Sequence, residues 1–148
     1  MRKLLAITVL GTLFAAPAFS HSDSEDKTIQ YRQSIYHVIG EQMGQLGAMA
    51  KKKIPYDQAQ ALLAADTIAQ LAKVAPASFK AGSYGIDGTS ALNTISQQPE
   101  DFDKAMQDFQ LASAKLATKL NTASQFPRPE FGAMAQTCKA CHTDFKAK

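Results

Sequence analysis

Two cysteines and a histidine stand close together in the sequence, as Cys138-Lys139-Ala140-Cys141-His142. On a helix, residues three and four positions apart lie on the same face, so both thiols and the imidazole would project to one side. The C-x-x-C-H spacing is typical of c-type haem attachment, in which the thiols bind the porphyrin and the histidine binds the iron. We therefore predict one covalent haem c per chain, attached at Cys138 and Cys141, with His142 as the axial ligand of the iron.

The two cysteines could serve other chemistry, and the sequence argues against each alternative. A thioredoxin-type dithiol starts a helix after a strand, and no strand pattern occurs in this chain. A structural zinc site needs four ligands, and the other histidines are His21 and His37, with no third cysteine. A disulfide would suit an exported protein, but thioether attachment removes both thiols from that chemistry.

The first 20 residues have the pattern of a secretory signal peptide. Two basic residues precede an apolar stretch, 4–16, and small residues follow. The apolar stretch is shorter than the roughly 20 residues that a membrane helix needs. We predict cleavage after Ser20 or Ala18, export to the periplasm, and a mature domain of residues 21–148. No later stretch is apolar enough to span a membrane, so no membrane partner is expected.

The charge of the chain argues against nucleic-acid binding. The net charge is +3 at pH 7, and Arg2 and Lys3 of the signal-like segment supply two of these charges. The near-neutral balance that remains lacks the basic excess typical of nucleic-acid-binding domains. Hydrophobic residues make up 45% of the chain, which is ordinary for a soluble globular domain.

Four helical patterns follow the signal-like segment. Residues at three- and four-residue steps, most of them apolar, form one face of each helix that we predict to lie in the core. In the second pattern these residues are Ala61, Ala64, Ile68, Leu71 and Ala75, and in the third they are Phe102, Met106, Phe109, Ser113, Leu116 and Leu120. The predicted helices span about 23–53, 56–75, from Pro99 through Leu120, and from Pro129 to Lys146. Four such faces bury one another in an up-down antiparallel four-helix bundle. We predict this all-α fold with the haem in the core near one end of the bundle. The long connection 76–98 is predicted either to contain a helical turn near 91–95 or to cross one end of the bundle.

The first helix contains the residues predicted to face the haem. Arg32 falls on its core face, where an unpaired charge would be costly, and the haem propionates offer matching carboxylates. Tyr36 lies one helical turn further on and would then lie over the porphyrin. This helix also carries the candidate iron ligands Met43, Met49 and His37; we expect Met43 to pack in the core and His37 to lie at the surface or a subunit contact.

The sequence resembles the cytochrome c′ family over nearly all of its predicted mature length. The resemblance rests on Tyr31-Arg32-Gln33-Ser34, on Pro55-Tyr56-Asp57 and on the C-x-x-C-H motif in the fourth helix. It implies a five-coordinate, high-spin iron, with a histidine on one side and an apolar or aromatic residue crowding the other.

The resemblance also implies roles for individual residues of this chain. Tyr36 takes the crowding position opposite His142, and Arg32 and Gln33 lie near the propionates. Family members often have an arginine four residues after the haem histidine. Lys146 stands at that position here, and it supplies positive charge without the planar fork of a guanidinium.

These features lead to two functional hypotheses. The first is a protein that binds small gases, NO and CO, at an iron guarded by Tyr36, with a role in NO scavenging. The alternative is a one-electron carrier, with Met43 or His37 as second ligand or with an open iron and a redox partner protein. The sequence has no readable distal His–Arg pair of the peroxidase type, so it gives no positive sign of an enzyme.

Small residues form a smooth strip on the first helix, at Gly40, Gly44 and Gly47. Glycine lowers helix stability, so this spacing indicates a packing purpose. The strip suits close packing within the bundle, and it also suits the homodimer that the resemblance implies.

Overall fold

The computed structural model describes residues 22–148, with side chains from Lys27 onward. The signal-like segment, both candidate cleavage points and His21 lie outside the described residues. The helices are α1 (Ser22–Ala50), α2 (Gln58–Val74), α3 (Thr94–Gln97), α4 (Pro99–Leu120) and α5 (Arg128–Phe145), with a 3₁₀ turn at Ala75–Ser78. The four long ones form a bundle, which confirms the all-α, four-helix prediction. Within the described range, no helix is both long and apolar enough to cross a membrane.

The helix ends differ from the predicted ones for local reasons. α1 ends before the predicted 53 because Lys52 adopts a φ of 55°, a left-handed conformation that terminates helices. α2 begins after Asp57, whose side chain accepts a hydrogen bond from the backbone N–H of Gln60 at 3.0 Å. Pro76 does not end the helical path at once, because it sits in the first turn of the 3₁₀ segment, where its missing N–H costs nothing.

Hydrogen bonds between helices show their antiparallel order. The Gln58 side chain donates to the carbonyl of Leu120 at 2.9 Å, and Gln110 donates to the carbonyl of Ala72 at 3.2 Å. The start of α2 therefore meets the end of α4. The pairs α2–α4, α4–α5 and α1–α2 pack extensively, whereas α1 and α5 share few contacts. The bundle is thus least closed between α1 and α5.

The core follows the predicted faces of the helices. The six predicted core positions of α4 are all buried: Phe102, Met106, Phe109, Ser113, Leu116 and Leu120. α2 buries mainly alanines, and these small side chains let its neighbours approach closely; Leu71, predicted on its core face, is only partly buried. Leu46, Ile68 and Leu116 are fully buried, and each such side chain contributes about 1.5–3 kcal/mol through lost apolar exposure.

Residues 79–93, called the 79–93 connection below, require glycine at one tight turn. Gly85 has a φ of 69°, which side-chain-bearing residues rarely adopt, and a Cβ there would lie 2.6 Å from the Cβ of Asn93. The N–H of Gly85 donates to the carbonyl of Ala91 at 2.7 Å. The turn thereby brings the two ends of the connection together.

Backbone hydrogen bonds join the 79–93 connection to the end of α5. The N–H of Leu92 donates to the carbonyl of Phe145 at 3.0 Å, and the N–H of Ala147 donates to the carbonyl of Ser90 at 2.8 Å. The helical turn considered near 91–95 is observed a few residues later, as α3. The connection is therefore fixed over the end of the bundle where α5 ends.

Candidate functional site

A cleft of about 450 Å³ lies between α1, α4, α5 and the 79–93 connection. This volume falls within the roughly 300–1,000 Å³ of typical cofactor and ligand sites. The lining includes every site residue singled out in the sequence: Arg32, Gln33, Tyr36, Cys138, Cys141, His142 and Lys146. The fold thus brings residues 32–36 and residues 138–146 to one cleft, although the two segments lie about a hundred positions apart in the chain.

α5 places the attachment motif along one wall of the cleft. Cys138 and Cys141 are free, half-buried thiols. Burial raises the pKa of both, and that of Cys141 to about 11 with a contribution from the neighbouring Cys138. His142 is exposed, but partial desolvation at the cleft wall and the charge of Lys146 lower the pKa of its imidazole. A neutral imidazole, the form that binds metals, is therefore favoured at neutral pH.

Tyr36 faces the cleft from α1, within electrostatic reach of both thiols. Its ring meets the ring of Phe79 edge-on, with centroids 6.0 Å apart, and its hydroxyl lies 3.8 Å from the sulfur of Met106. Burial, reinforced by Cys141 and Cys138, raises the pKa of the phenol well above its ordinary value. Tyr36 is therefore a neutral hydroxyl on the cleft wall.

Arg32 is 4% exposed, and its guanidinium fastens the 79–93 connection to α1. Nη1 donates to the carbonyl of Ser78 at 3.1 Å and to the hydroxyl of Ser83 at 2.9 Å. Nη2 donates to the hydroxyl of Thr89 at 2.9 Å and to the carbonyl of Ser83. The guanidinium carbon lies 4.8 Å from the ring centroid of Phe79, a cation–π contact. One buried cation thus organises this edge of the cleft.

The charge of Arg32 has no carboxylate partner among the described residues. The ion pair found in this part of the chain, Lys104–Asp108, lies on the exposed face of α4. Hydroxyl and carbonyl oxygens accept hydrogen bonds from the N–H groups of Arg32, but they do not neutralise its positive charge. A buried cation, aromatic walls and a C-x-x-C-H motif around one cleft match the carboxylates, ring and vinyl groups of a haem. The residues present therefore fit haem c.

Part of the cleft wall comes from the 79–93 connection, whose residues were not predicted to belong to the site. Phe79, Thr89 and Ser90 line the cleft, as does Phe102 of α4. Phe79 could have been recognised from the sequence as a buried residue, because a lone phenylalanine in a stretch rich in Gly and Ser needs an apolar partner. It packs on Phe102, with ring centroids 4.8 Å apart.

Two of the other candidate iron ligands on α1 are placed differently. Met43 is partly buried and lines the cleft, whereas His37 is exposed and lies outside the lining. Around the cleft and elsewhere in residues 27–148, no group of three or more His, Cys, Asp or Glu side chains is arranged to hold a metal ion.

Replacing Arg32 by glutamine should loosen the 79–93 connection while the helices stay formed. The change leaves buried carbonyls without donors, at a cost of about 1–3 kcal/mol for each unpaired group. We expect backbone amides of residues 83–91 to exchange about tenfold faster or more in hydrogen-exchange mass spectrometry. Lys27→Gln, which removes an exposed charge from the same helix, is the matched control and should leave exchange unchanged. Equal exchange in Arg32→Gln and wild type would contradict the fastening role.

The family model of cytochrome c′ matches residues 27–146. The chain belongs to the cytochrome c′ family. Cytochrome c′ from Halomonas halodenitrificans is 34% identical over 134 residues, which cover 86% of this chain and the whole of that protein. Proteins of the cytochrome c′ family bind haem c, in agreement with the donor set of the cleft.

Solved structures of cytochrome c′ proteins share the fold. Cytochrome c prime from Shewanella frigidimarina aligns with a TM-score of 0.80 at 35% identity, over 84% of this chain and 97% of that one. A nitric oxide complex of a cytochrome c prime variant from Alcaligenes xylosoxidans aligns with a TM-score of 0.76 at 26% identity, over 84% and 96%. The four-helix architecture of the cytochrome c′ family is therefore common to this chain and to these proteins.

Proposed function

We propose that this chain is a periplasmic c-type haem protein whose five-coordinate, high-spin iron binds NO and CO, with a role in NO binding or scavenging. The observation that carries the proposal is the position of Tyr36 on α1, across one cleft from the attachment motif on α5. A tyrosine can bind haem iron only as the phenolate. Because burial raises the pKa of Tyr36, the neutral phenol would crowd the iron without binding it.

Three residues of α5 would hold the haem. Cys138 and Cys141 would hold the haem through thioethers, each formed by addition of S–H across one vinyl group, with sulfur on one carbon and hydrogen on the other. No oxidant and no leaving group are needed. His142 would supply the axial nitrogen, and its lowered pKa keeps that nitrogen free of a proton at neutral pH.

Arg32, Gln33 and Lys146 would supply the polar surroundings of the haem edge. Four N–H bonds of Arg32 are already used within the protein, so it would act on a propionate through its charge and its remaining N–H. Gln33 is exposed and donates to the carbonyl of Gly88 at 3.1 Å, at the same edge. Lys146 follows the end of α5 and would add positive charge on the His142 side.

Tyr36 would control the access of a gas to the iron. Its ring is held by an edge contact with Phe79 and by a long hydroxyl–sulfur contact with Met106, and a thioether is a weak acceptor. Displacement of the ring therefore breaks no strong hydrogen bond. The aromatic rings of Phe79, Phe102 and Phe109 would keep water from the same space. The solved nitric oxide complex of a cytochrome c prime variant supports NO as a ligand.

We further propose that two copies of the chain associate through α1 and α2. Gly44 of α1 has no neighbouring atom within 4 Å of the place of a Cβ, so this surface is free for a partner, whereas the open space at Gly40 belongs to the cleft. Gly47 differs, because it packs toward Phe131 within the bundle. The exposed Val38 and Leu63 add apolar surface on α1 and α2.

Absorption spectra of the purified ferric and ferrous protein, with and without CO and NO, test the proposed iron site. We expect five-coordinate, high-spin spectra at neutral pH and spectral changes on addition of either gas to the ferrous form. A six-coordinate, low-spin spectrum would contradict the proposal. A thioether–iron charge-transfer band would identify a methionine ligand such as Met43, and it would favour the one-electron carrier.

A further inference from the structure

The hydroxyl of Tyr36 has an unusual partner. It lies 3.8 Å from the sulfur of Met106, which is 3% exposed and comes from α4 on the cleft lining. In the part of the chain with described side chains, every buried side-chain nitrogen and oxygen has a hydrogen-bond partner. The partner that the structure gives Tyr36 is thus a thioether, a weak acceptor with no proton to donate in return.

The surroundings of Tyr36 explain why this weak contact sets the direction of the hydroxyl. Its ring makes an edge-to-face contact with Phe79, and the cleft lining includes further apolar side chains such as Ile39 and Phe109. Arg32, whose positive charge acts on Tyr36, carries only donors and cannot accept the proton. A buried hydroxyl that loses its acceptor turns to whatever acceptor remains, because leaving it unpaired costs free energy.

We propose that Met106 determines ligand specificity by holding the Tyr36 hydroxyl away from a gas bound in the cleft. This inference rests on the proposed function, in which Tyr36 lies over the iron. With the O–H group directed to sulfur, the cleft presents an aromatic ring to the gas and no hydrogen-bond donor. NO and CO bind without such a donor, whereas dioxygen depends on polar stabilisation. Met106 is accordingly a positioning residue that acts through Tyr36.

The test uses ferrous holoprotein with CO as the probe, in wild type and in Met106→Leu. Leucine conserves volume and removes the acceptor, so the fold should be kept. We expect the infrared C–O stretching band to shift to lower wavenumber in Met106→Leu, because the freed hydroxyl donates to the bound gas. We expect CO dissociation to slow about two- to tenfold, the factor of one neutral hydrogen bond.

Two further variants separate the effect of the hydroxyl from that of packing. The double variant Met106→Leu/Tyr36→Phe lacks the donor and should return the band to the wild-type position. Met134→Leu makes the same swap at a fully buried methionine outside the cleft lining and should leave the band unchanged. An unshifted band in Met106→Leu, or an equal shift in the double variant, would overturn the inference while leaving the proposed function intact. A ferrous wild-type protein that binds no CO would overturn both.

Discussion

The double variant Cys138→Ser/Cys141→Ser should contain no covalently attached haem. The two thiols stand three residues apart on α5 and line one cleft, and the chain has no other cysteine to replace them. A serine hydroxyl is a far weaker nucleophile than a thiol toward a vinyl group. We expect intact-mass spectrometry of the denatured variant to show the polypeptide alone, whereas wild type carries the added mass of one haem. Haem staining after denaturing electrophoresis should disappear in parallel.

Variants with one cysteine replaced, and a variant of a residue between the cysteines, test whether the loss of attached haem is due to the thiols. Cys138→Ser and Cys141→Ser each leave one thioether, so both should retain attached haem at reduced yield. Lys139→Ser changes an exposed residue between the cysteines and should keep full attachment. Haem that remains attached in the double variant would show that neither thiol forms the link.

Replacing Tyr36 by alanine should greatly accelerate gas binding to the ferrous protein. The ring lines the same cleft as the attachment motif, so under the proposed function a gas would have to wait for the ring to move aside. When the binding-competent state is a minor one, populated at about 0.1–10%, the apparent affinity is reduced by that fraction. We expect CO association, followed by flash photolysis or stopped flow, to be about 10- to 1,000-fold faster in Tyr36→Ala.

Tyr36→Phe provides the matched comparison, because it keeps the ring and removes only the hydroxyl. CO association in this variant should stay within a few-fold of wild type, since steric crowding is retained. If Tyr36→Ala and wild type bind CO at the same rate, Tyr36 does not guard the iron. If Tyr36→Phe is as fast as Tyr36→Ala, the hydroxyl and its contact with Met106, rather than the ring, limit access.

The sequence predicted the helices well because the residue pattern that marks a helix lies within a few consecutive turns of the chain. Apolar residues at three- and four-residue steps mark the buried face of α4, and all six predicted positions are buried. The ends were harder to predict, because they depend on single backbone conformations. Lys52 stops α1 with a positive φ, and no residue-type pattern announces a left-handed lysine.

The site was predictable in its residues but only partly in its contacts. A motif and a family resemblance were enough to name Arg32, Tyr36 and His142, and all three line one cleft. The partners of Arg32 could not be foreseen, because they lie in a connection without periodic pattern, 46 to 57 positions away. The core position of Arg32 predicted a contact with haem propionates, and in the structure its guanidinium also binds Ser78, Ser83 and Thr89.

The fastening of the 79–93 connection has a consequence for the order in which this protein assembles. Contacts between distant positions must recover the entropy of closing a long loop, which grows with the logarithm of its length. The Arg32 contacts span 46 to 57 positions and the bundle contact between Gln58 and Leu120 spans 62, but the bundle contacts also bury the apolar core, which offsets the entropy of loop closure. The bundle should therefore condense first and the wall of the cleft last. An intermediate with formed helices and an unfastened connection would offer a bulky, flat cofactor a wider entrance than the finished molecule does.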